Sequence, residues 1–171
     1  MRLLLQRVSR AEVRVDGQVV GAIGRGLVAL VGVGHGDAPE VARLLARRTV
    51  ALRIFPDDAG RTNRSLLDVR GAVLAVSQFT LYADTSRGRR PSFLGAAPPD
   101  LGERLYRAYA DELEALGVQV GRGVFGASME VELVNDGPFT IWLDVPAEMS
   151  GTGGTRETPA SEPRGAEPPD E

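Results

Sequence analysis

Hydroxyl and amide side chains follow directly after an apolar run in residues 77–81, which read Ser-Gln-Phe-Thr-Leu. The preceding residues 72–76 are all Ala, Val or Leu, a run typical of a buried strand. Sites are often built where such a strand ends. Thr80 is the candidate nucleophile, although a threonine hydroxyl is weak unless a base activates it. The alternative is that Ser77 and Thr80 only satisfy hydrogen bonds at the strand end.

A Gly-Pro pair, Gly137 and Pro138, separates two runs of alternating apolar and polar residues, 129–134 and 139–145. Proline cannot donate to a sheet ladder, so the pair marks an edge, a bulge or a deliberate turn. An X-Pro bond is also the one peptide bond for which the cis form costs little, about 0.5–1 kcal/mol. An ordinary turn proline is the alternative.

Other catalytic arrangements find little support in the composition. The chain has no cysteine, which excludes disulfides and thiolate metal sites, and its single histidine excludes any site that needs two. That histidine, His35, lies between Gly34 and Gly36, far in sequence from Ser77, so a Ser-His-Asp triad is not indicated. We expect no metal and no cofactor.

Length and charge favour one compact body followed by a tail. With 171 residues, 43% of them hydrophobic, the chain has the size and composition of one domain. Residues 151–171 hold two arginines and five acidic residues, which account for the net charge of −3. The body is therefore neutral. All its basic residues are arginine, which suits phosphate binding but equally fits a bias of genome composition.

The tail and the N-terminus give further expectations. Residues 148–171 are rich in Gly, Pro and Glu, and we expect them to be disordered, because they cannot bury enough apolar surface to offset the ordering entropy. The domain is assigned to residues 1–147. No apolar stretch is long enough to span a membrane, and no signal-peptide pattern precedes Gln6, so a cytoplasmic location is expected.

The element pattern predicts an α+β fold with a curled, barrel-like, antiparallel-rich sheet and two main helices. Residues 3–15 and 18–23 alternate around Asp16-Gly17, a strong hairpin signal. Further strands are predicted over residues 26–33, 72–76, 118–120, 129–134 and 139–145.

Capping signals place the two helices. Asp37 is predicted as the N-cap of the first, with Pro39 in the first turn and Glu40 three residues after the cap. The second begins near Asp100 and ends at a C-capping Gly117. The predicted buried faces are Val41, Leu44, Leu45 and Leu52 in the first helix, and Leu101, Leu105, Tyr109, Leu113 and Leu116 in the second.

Several segments, in one order over residues 1–146, resemble the D-aminoacyl-tRNA deacylase family. This family cleaves the ester between a D-amino acid and the terminal ribose of tRNA. The resemblance implies a hydrolase that binds D-aminoacyl-tRNA and forms a homodimer with active sites at the subunit interface. The matching segments are residues 1–2, 6–8, 32–33 with Asp37, 77–84, 90–93, 123–129 and 135–140.

The resemblance also implies roles for individual residues. Ser77, Gln78 and Phe79 would position the ribose and the reacting carbonyl, partly through main-chain N–H groups. Thr80 is retained as a catalytic or structural hydroxyl, because the family is thought to use the 2′-hydroxyl of the RNA itself. Residues assigned to the pocket for the terminal adenine are Phe125, Gly126, Ala127 and Met129. Those that could bind tRNA phosphates are Arg87, Arg89 and Arg90, for which a solvated loop is the alternative.

Chirality would depend on Gly137 and Pro138. In the family this bond is cis and enters the active site of the partner subunit, where its carbonyl oxygens face the α-carbon of the substrate. An L-amino acid would drive its side chain into rigid backbone, whereas glycine has no side chain to clash. Discharge of glycyl-tRNA(Ala) is therefore also expected.

Three interpretations remain open. The first and favoured one is a D-aminoacyl-tRNA deacylase. The second is a relative specialised for glycine or another mischarged tRNA, although such branches alter the residue 77–81 motif or the Gly-Pro pair, and both are intact here. The third is a non-catalytic nucleic-acid-binding module, which the neutral body does not favour.

Overall fold

The structure is a computed structural model that describes residues 1–145. The predicted tail, residues 148–171, lies outside the described residues, as do residues 146 and 147 of the predicted domain. The elements, in chain order, are strands β1 (Arg2–Val15), β2 (Gln18–Ile23) and β3 (Gly26–Gly32), helix α1 (Pro39–Ala51), strands β4 (Phe55–Pro56), β5 (Thr62–Arg64) and β6 (Ala72–Ser77), a 3₁₀ helix (Phe79–Tyr82), helix α2 (Pro99–Ala115), and strands β7 (Val120–Arg122) and β8 (Glu130–Asp144).

The long strand β1 organises the main sheet. Strand β8 runs antiparallel along one edge of β1, while β3 and β2 pair with the first and second halves of its other edge. Strand β6 lies parallel to β3, and β7 lies parallel to β6. Strand β2 returns against β7, where a Cβ atom at Gly21 would lie 2.7 Å from the Arg122 carbonyl oxygen. The predicted barrel-like sheet is confirmed, and the parallel β6 and β7 make it mixed.

The two helices pack on each other and on one side of the sheet. The Thr49 hydroxyl of α1 lies 3.0 Å from the Tyr109 hydroxyl of α2, and both residues are buried. Helix α2 ends as predicted at Gly117, whose φ is +85°. The Val118 N–H donates to the Leu113 carbonyl at 3.1 Å, which completes a Schellman cap. Because this hydrogen bond ties Val118 to the end of the helix, β7 begins only at Val120, two residues later than predicted.

Asp37 does not cap α1, contrary to the prediction. The N-cap is Ala38, which makes no side-chain hydrogen bond. Asp37 is buried and accepts instead from the α-amino group of Met1 at 2.6 Å and from the Gly34 N–H at 2.7 Å. A charge-assisted bond from a buried cation stabilises a carboxylate more than a neutral cap would.

Two other predictions need correction. Leu44 is exposed, because the inner face of α1 follows Val41, Leu45 and Thr49 at intervals of four residues. The two runs near the C-terminal end form one strand, β8, which bulges at the Gly-Pro pair. The register there jumps from Gln6–Thr140 to Val8–Asn135, so several residues of β8 lie opposite one residue of β1.

Candidate active site

Strand β6 delivers the polar segment to the edge of the sheet. Its first five residues are buried between β3 and β7, as expected for an apolar strand in the parallel part of a sheet. The chain then leaves the sheet at Ser77, and the Gln78 N–H donates to the Val31 carbonyl at 2.8 Å. The 3₁₀ helix that follows begins at Phe79. The N–H of Gln78 is thus occupied, whereas those of Phe79 and Thr80 donate to no backbone carbonyl of the described residues.

Tyr82 anchors this 3₁₀ helix to the start of the chain. The guanidinium of Arg2 lies 4.3 Å from the Tyr82 ring centroid and donates to the Leu81 carbonyl at 3.0 Å. The Tyr82 hydroxyl lies 3.4 Å from Asp37. Burial raises the pKa of Tyr82, and the nearby Asp37 carboxylate raises it further, so the phenol stays protonated and can donate.

Gly34 is where the Tyr82 ring meets the backbone. A Cβ atom there would lie 2.6 Å from two ring carbons and from the hydroxyl oxygen of Tyr82. We expect Gly34→Ala to displace Tyr82 and the 3₁₀ helix, with a stability loss of about 1–3 kcal/mol for overpacking and a rise in KM of roughly tenfold. Urea denaturation and steady-state kinetics measure both effects. Gly24→Ala is the matched control, because nothing lies within 4 Å of its Cβ position; equal behaviour of the two variants would contradict the anchoring role.

A cavity of about 580 Å³ opens beside the 3₁₀ helix. It brings Ser77, Gln78 and Phe79 together with the predicted adenine-pocket residues. Sequence reasoning gave no site role to the six other lining residues, which are all apolar and carry no chemical signal in the sequence. The predicted residues are Ser77, Gln78, Phe79, Phe125, Gly126, Ala127 and Met129; the others are Val76, Phe93, Ala96, Ala97, Pro99 and Val131.

Glycines leave the space that the side chains of Phe125 and Met129 occupy. The Phe125 ring packs 6.2 Å from the ring of Tyr106, whose hydroxyl donates to the Ala75 carbonyl at 2.9 Å. A Cβ atom at Gly102 would lie 3.2 Å from Phe125, and one at Gly123 would lie 2.7 Å from the Met129 sulfur. An aromatic face beside an adaptable thioether can hold a flat heterocycle.

Thr80 and His35 do not line this cavity. The Gln78 amide donates to the Thr80 hydroxyl oxygen at 2.5 Å, so Thr80 contacts a lining residue only from outside. His35 is exposed, and its backbone N–H donates to the Gly95 carbonyl at 3.4 Å. Neither contact supplies a base that would activate a hydroxyl within the cavity.

The predicted phosphate-binding arginines lie on a loop beside the cavity. Backbone hydrogen bonds between Asp84 and Ser92 close the loop, which carries Arg87, Arg89 and Arg90 exposed at its tip. None of the three forms an ion pair with another of residues 1–145. Phe93 packs edge-on against Phe79 with 5.1 Å between ring centroids, which fixes the base of the loop to the cavity.

The Gly137–Pro138 bond is cis, and neither residue lines the cavity of its own chain. Asn135 closes the bulge: its side-chain amide donates to the Arg7 carbonyl at 2.8 Å and to the Phe139 carbonyl at 3.4 Å. Within one chain, therefore, the predicted chirality element and the predicted catalytic residues are not brought together.

Arg7 is the residue of this region that sequence reasoning missed. It is only 7% exposed, and its guanidinium bonds to the Asp136 carbonyl at 3.1 Å, to the Asp136 carboxylate at 2.9 Å and to the Ile54 carbonyl. It also lies 4.1 Å from the Phe139 ring centroid. Its sequence signal is its place in the alternation of β1: Arg7 continues the face of Leu3 and Leu5, which are buried, and a charged residue there demands buried partners.

Among residues 1–145, no group of three or more His, Cys, Asp or Glu side chains is placed to hold a metal ion. The helices in this part of the chain are all too short or too polar to cross a membrane.

Known proteins with similar sequences share one description. A profile of the family described as D-Tyr-tRNA(Tyr) deacylase matches residues 4–144. A protein of Roseiflexus castenholzii named D-aminoacyl-tRNA deacylase is 63% identical over 84% of this chain and 92% of its own length. One of the same name from Deinococcus radiodurans is 57% identical over 85% of this chain and all of its own.

Solved structures share the fold. One described as c-Myc DNA unwinding element binding protein is 36% identical, with a TM-score of 0.80 over 85% of this chain and 99% of that one. Another, described as a probable eukaryotic D-amino acid tRNA deacylase, is 20% identical, with a TM-score of 0.73 over 84% of this chain and 98% of that one. By its profile match and its identity to these relatives over most of its length, this chain belongs to the D-Tyr-tRNA(Tyr) deacylase family.

Proposed function

We propose that the protein hydrolyses the ester bond between a D-amino acid and the terminal ribose of tRNA, releasing free D-amino acid and tRNA. The observation that carries this proposal is the cavity at the end of β6. It joins the polar Ser77 and Gln78, with Phe79, to an aromatic and thioether pocket of a size suited to a nucleoside. Because aminoacyl-tRNA is used in translation, the proposal includes a cytoplasmic location.

The chemistry requires positioning more than a strong nucleophile. An aminoacyl ester is activated, so a modest barrier remains to be lowered. The N–H groups of Phe79 and Thr80, which donate to no backbone carbonyl of residues 1–145, are available to stabilise the developing oxyanion. Adenine would stack against Phe125 and Met129, while the side chains of Ser77 and Gln78 orient the ribose. The 2′-hydroxyl of that ribose then assists the attack of water on the carbonyl, and the ester oxygen of the ribose leaves as the neighbouring hydroxyl of the free tRNA.

Thr80 tests this route. We expect Thr80→Ala to keep kcat within roughly threefold of wild type, whereas loss of a true nucleophile lowers kcat by up to roughly 10⁶-fold. Conversely, a substrate whose terminal adenosine lacks the 2′-hydroxyl should react at least roughly 100-fold more slowly. Single-turnover deacylation measures both rates, with the exposed Thr62→Ala as control. Near-complete inactivation by Thr80→Ala alone would overturn the RNA-assisted route.

Chirality and oligomeric state are linked in this proposal. The Gly137-Pro138 bulge does not line the cavity of its own chain, so it can act on substrate only from a second copy. Among residues 1–145, strand β8, which carries the bulge, pairs with β1 alone, and 47% of Trp142 on β8 is exposed. An unpaired edge strand with an exposed aromatic side chain is suited to an interface. We therefore propose a symmetric homodimer whose two sites are completed across the interface.

Substrate range follows from the same clash mechanism. Glycine presents no side chain to the Gly137-Pro138 element, so glycyl-tRNA(Ala) should also be discharged. The exposed Arg87, Arg89 and Arg90 are proposed to contact tRNA phosphates beside the cavity. The proposed catalytic domain ends near residue 147, and the family profile ends its match at residue 144.

The deciding experiment compares matched D-tyrosyl-tRNA and L-tyrosyl-tRNA at low enzyme concentration. Rapid loss of the D form with the L form spared is the expected result. Loss of both would retain the esterase but refute chirality filtering by Gly137 and Pro138. Preferential loss of glycyl-tRNA would favour the glycine-specialised relative, and loss of no substrate would favour the non-catalytic binding module.

A further inference from the structure

A second cavity, of about 320 Å³, shares Phe125 with the candidate active site. It lies between the first turns of α2 and the segment that follows β7, and the function proposed above does not use it. Its volume is at the lower end of the range for small-molecule sites, about 300–1,000 Å³. Whatever occupies it must lie beside the group held in the first cavity, because one aromatic ring lines both.

Polar groups of both signs line this second cavity. Arg107 donates to one oxygen of the Glu103 carboxylate through Nε at 3.1 Å and a terminal nitrogen at 2.5 Å. Arg122 lies 2.8 Å from both Asp111 and Glu114, which hold its guanidinium at the opposite wall. Val124, an exposed apolar side chain, adds a surface on which a flat ring can rest.

The substrate of the proposed function supplies a matching occupant. Every aminoacyl-tRNA continues from its terminal adenosine, through a phosphodiester, to a penultimate cytidine. Cytosine presents an N4 amino donor beside the N3 and O2 acceptors. A carboxylate beside a guanidinium presents the complementary acceptor and donors, and an arginine is also a bidentate partner for phosphate.

We propose that this cavity binds the penultimate nucleotide of the substrate tRNA. The Glu103 carboxylate accepts from cytosine N4, Arg107 donates to the acceptor edge of the base, and Arg122 faces the linking phosphodiester. The inference rests on the proposed function, since it requires the terminal adenosine to lie in the first cavity. Glu103 and Arg107 then recognise the base, whereas an ion pair on a helix surface would otherwise contribute only a small stabilisation.

Non-hydrolysable D-tyrosyl 3′-amide analogues test the proposal through binding affinity. One analogue carries adenosine alone, a second cytidylyl-adenosine, and a third uridylyl-adenosine. We expect the cytidine extension to tighten binding to the wild-type protein by roughly tenfold or more, and the uridine extension, which lacks the N4 donor, by less. Arg107→Gln should remove most of the gain from cytidine while leaving the affinity for the adenosine analogue unchanged.

A control variant, and a variant of the arginine loop as the alternative site for the cytidine extension, make the result decisive. Arg43→Gln breaks a comparable surface pair with Glu40 on α1, away from both cavities, and should preserve the gain. The proposal is overturned if the cytidine extension adds no affinity, or if Arg87→Gln removes the gain and Arg107→Gln does not. Failure of even the adenosine analogue to bind, with D-tyrosyl-tRNA left intact, would instead refute the proposed function.

Discussion

Gly137→Ala and Pro138→Ala are expected to let the protein hydrolyse L-tyrosyl-tRNA at least roughly tenfold faster, a change of about 1.4 kcal/mol in discrimination. A Cβ atom at Gly137 would lie 3.1 Å from the Asn135 side-chain oxygen. Asn135 closes the bulge through two carbonyls, so its displacement moves the backbone that should clash with an L side chain. Initial rates on the matched D and L substrates measure the ratio.

Controls separate loss of selectivity from loss of activity. The rate on D-tyrosyl-tRNA should change much less than the rate on the L form, since the cavity residues are untouched. Gly24→Ala, with open space at its Cβ position, reports the effect of a glycine-to-alanine change alone. Full retention of L rejection by both bulge variants would refute the mechanism.

Mixed dimers can show in which subunit the bulge acts. A Pro138→Ala subunit is combined with a subunit whose cavity is disabled at Phe79. If the element acts across the interface, mixing creates sites with an intact cavity from one chain and an intact bulge from the other, so discrimination recovers. If it acts within one chain, every active site keeps the altered bulge and discrimination stays low. Sedimentation of the unmixed protein tests the dimer itself.

Features with a local cause were predictable from the sequence. Asp16-Gly17 forms the predicted hairpin turn, since both residues adopt the positive φ values that the turn requires, 51° and 76°. The apolar run of residues 72–76 forms the predicted buried strand. Gly117 ends α2 because its left-handed conformation lets the last carbonyls be satisfied.

Features that depend on distant partners were not predictable. Asp37 has the sequence context of an N-cap, but the α-amino group of Met1 lies close enough to bind it in the fold. An alternating or apolar run does not reveal its neighbours, so the parallel pairing of β6 and β7 had no sequence signal. Phe93 and Ala96 join the cavity only because the loop after the 3₁₀ helix folds back against Val33 and Gly34, just after β3.

Replacement of Arg7 is also expected to have a large effect, because its buried guanidinium fixes the bulge to the barrel. In Arg7→Met, the Ile54 carbonyl loses its donor in a buried setting, and the Asp136 carboxylate, whose side chain is 44% exposed, loses its cation. We expect the free energy of unfolding to fall by about 2–4 kcal/mol, the scale for lost buried charge-assisted bonds. Rejection of L-tyrosyl-tRNA should weaken as well, because the bulge is no longer held.

Arg10, on the same strand, is the control for Arg7, because it carries the same charge at an exposed position. Arg10 is 66% exposed and lies 3.7 Å from Glu132, so Arg10→Gln should change stability by less than about 1 kcal/mol and leave selectivity intact. Arg7→Lys retains the charge but not the planar guanidinium, so compared with Arg7→Met it should recover more of the stability than of the selectivity. Urea midpoints and the D-to-L rate ratio measure the two effects independently. Equal results for Arg7→Met and Arg10→Gln would mean that the bulge keeps its shape without Arg7, and that the chirality element is fixed by Asn135 and the strand pairing alone.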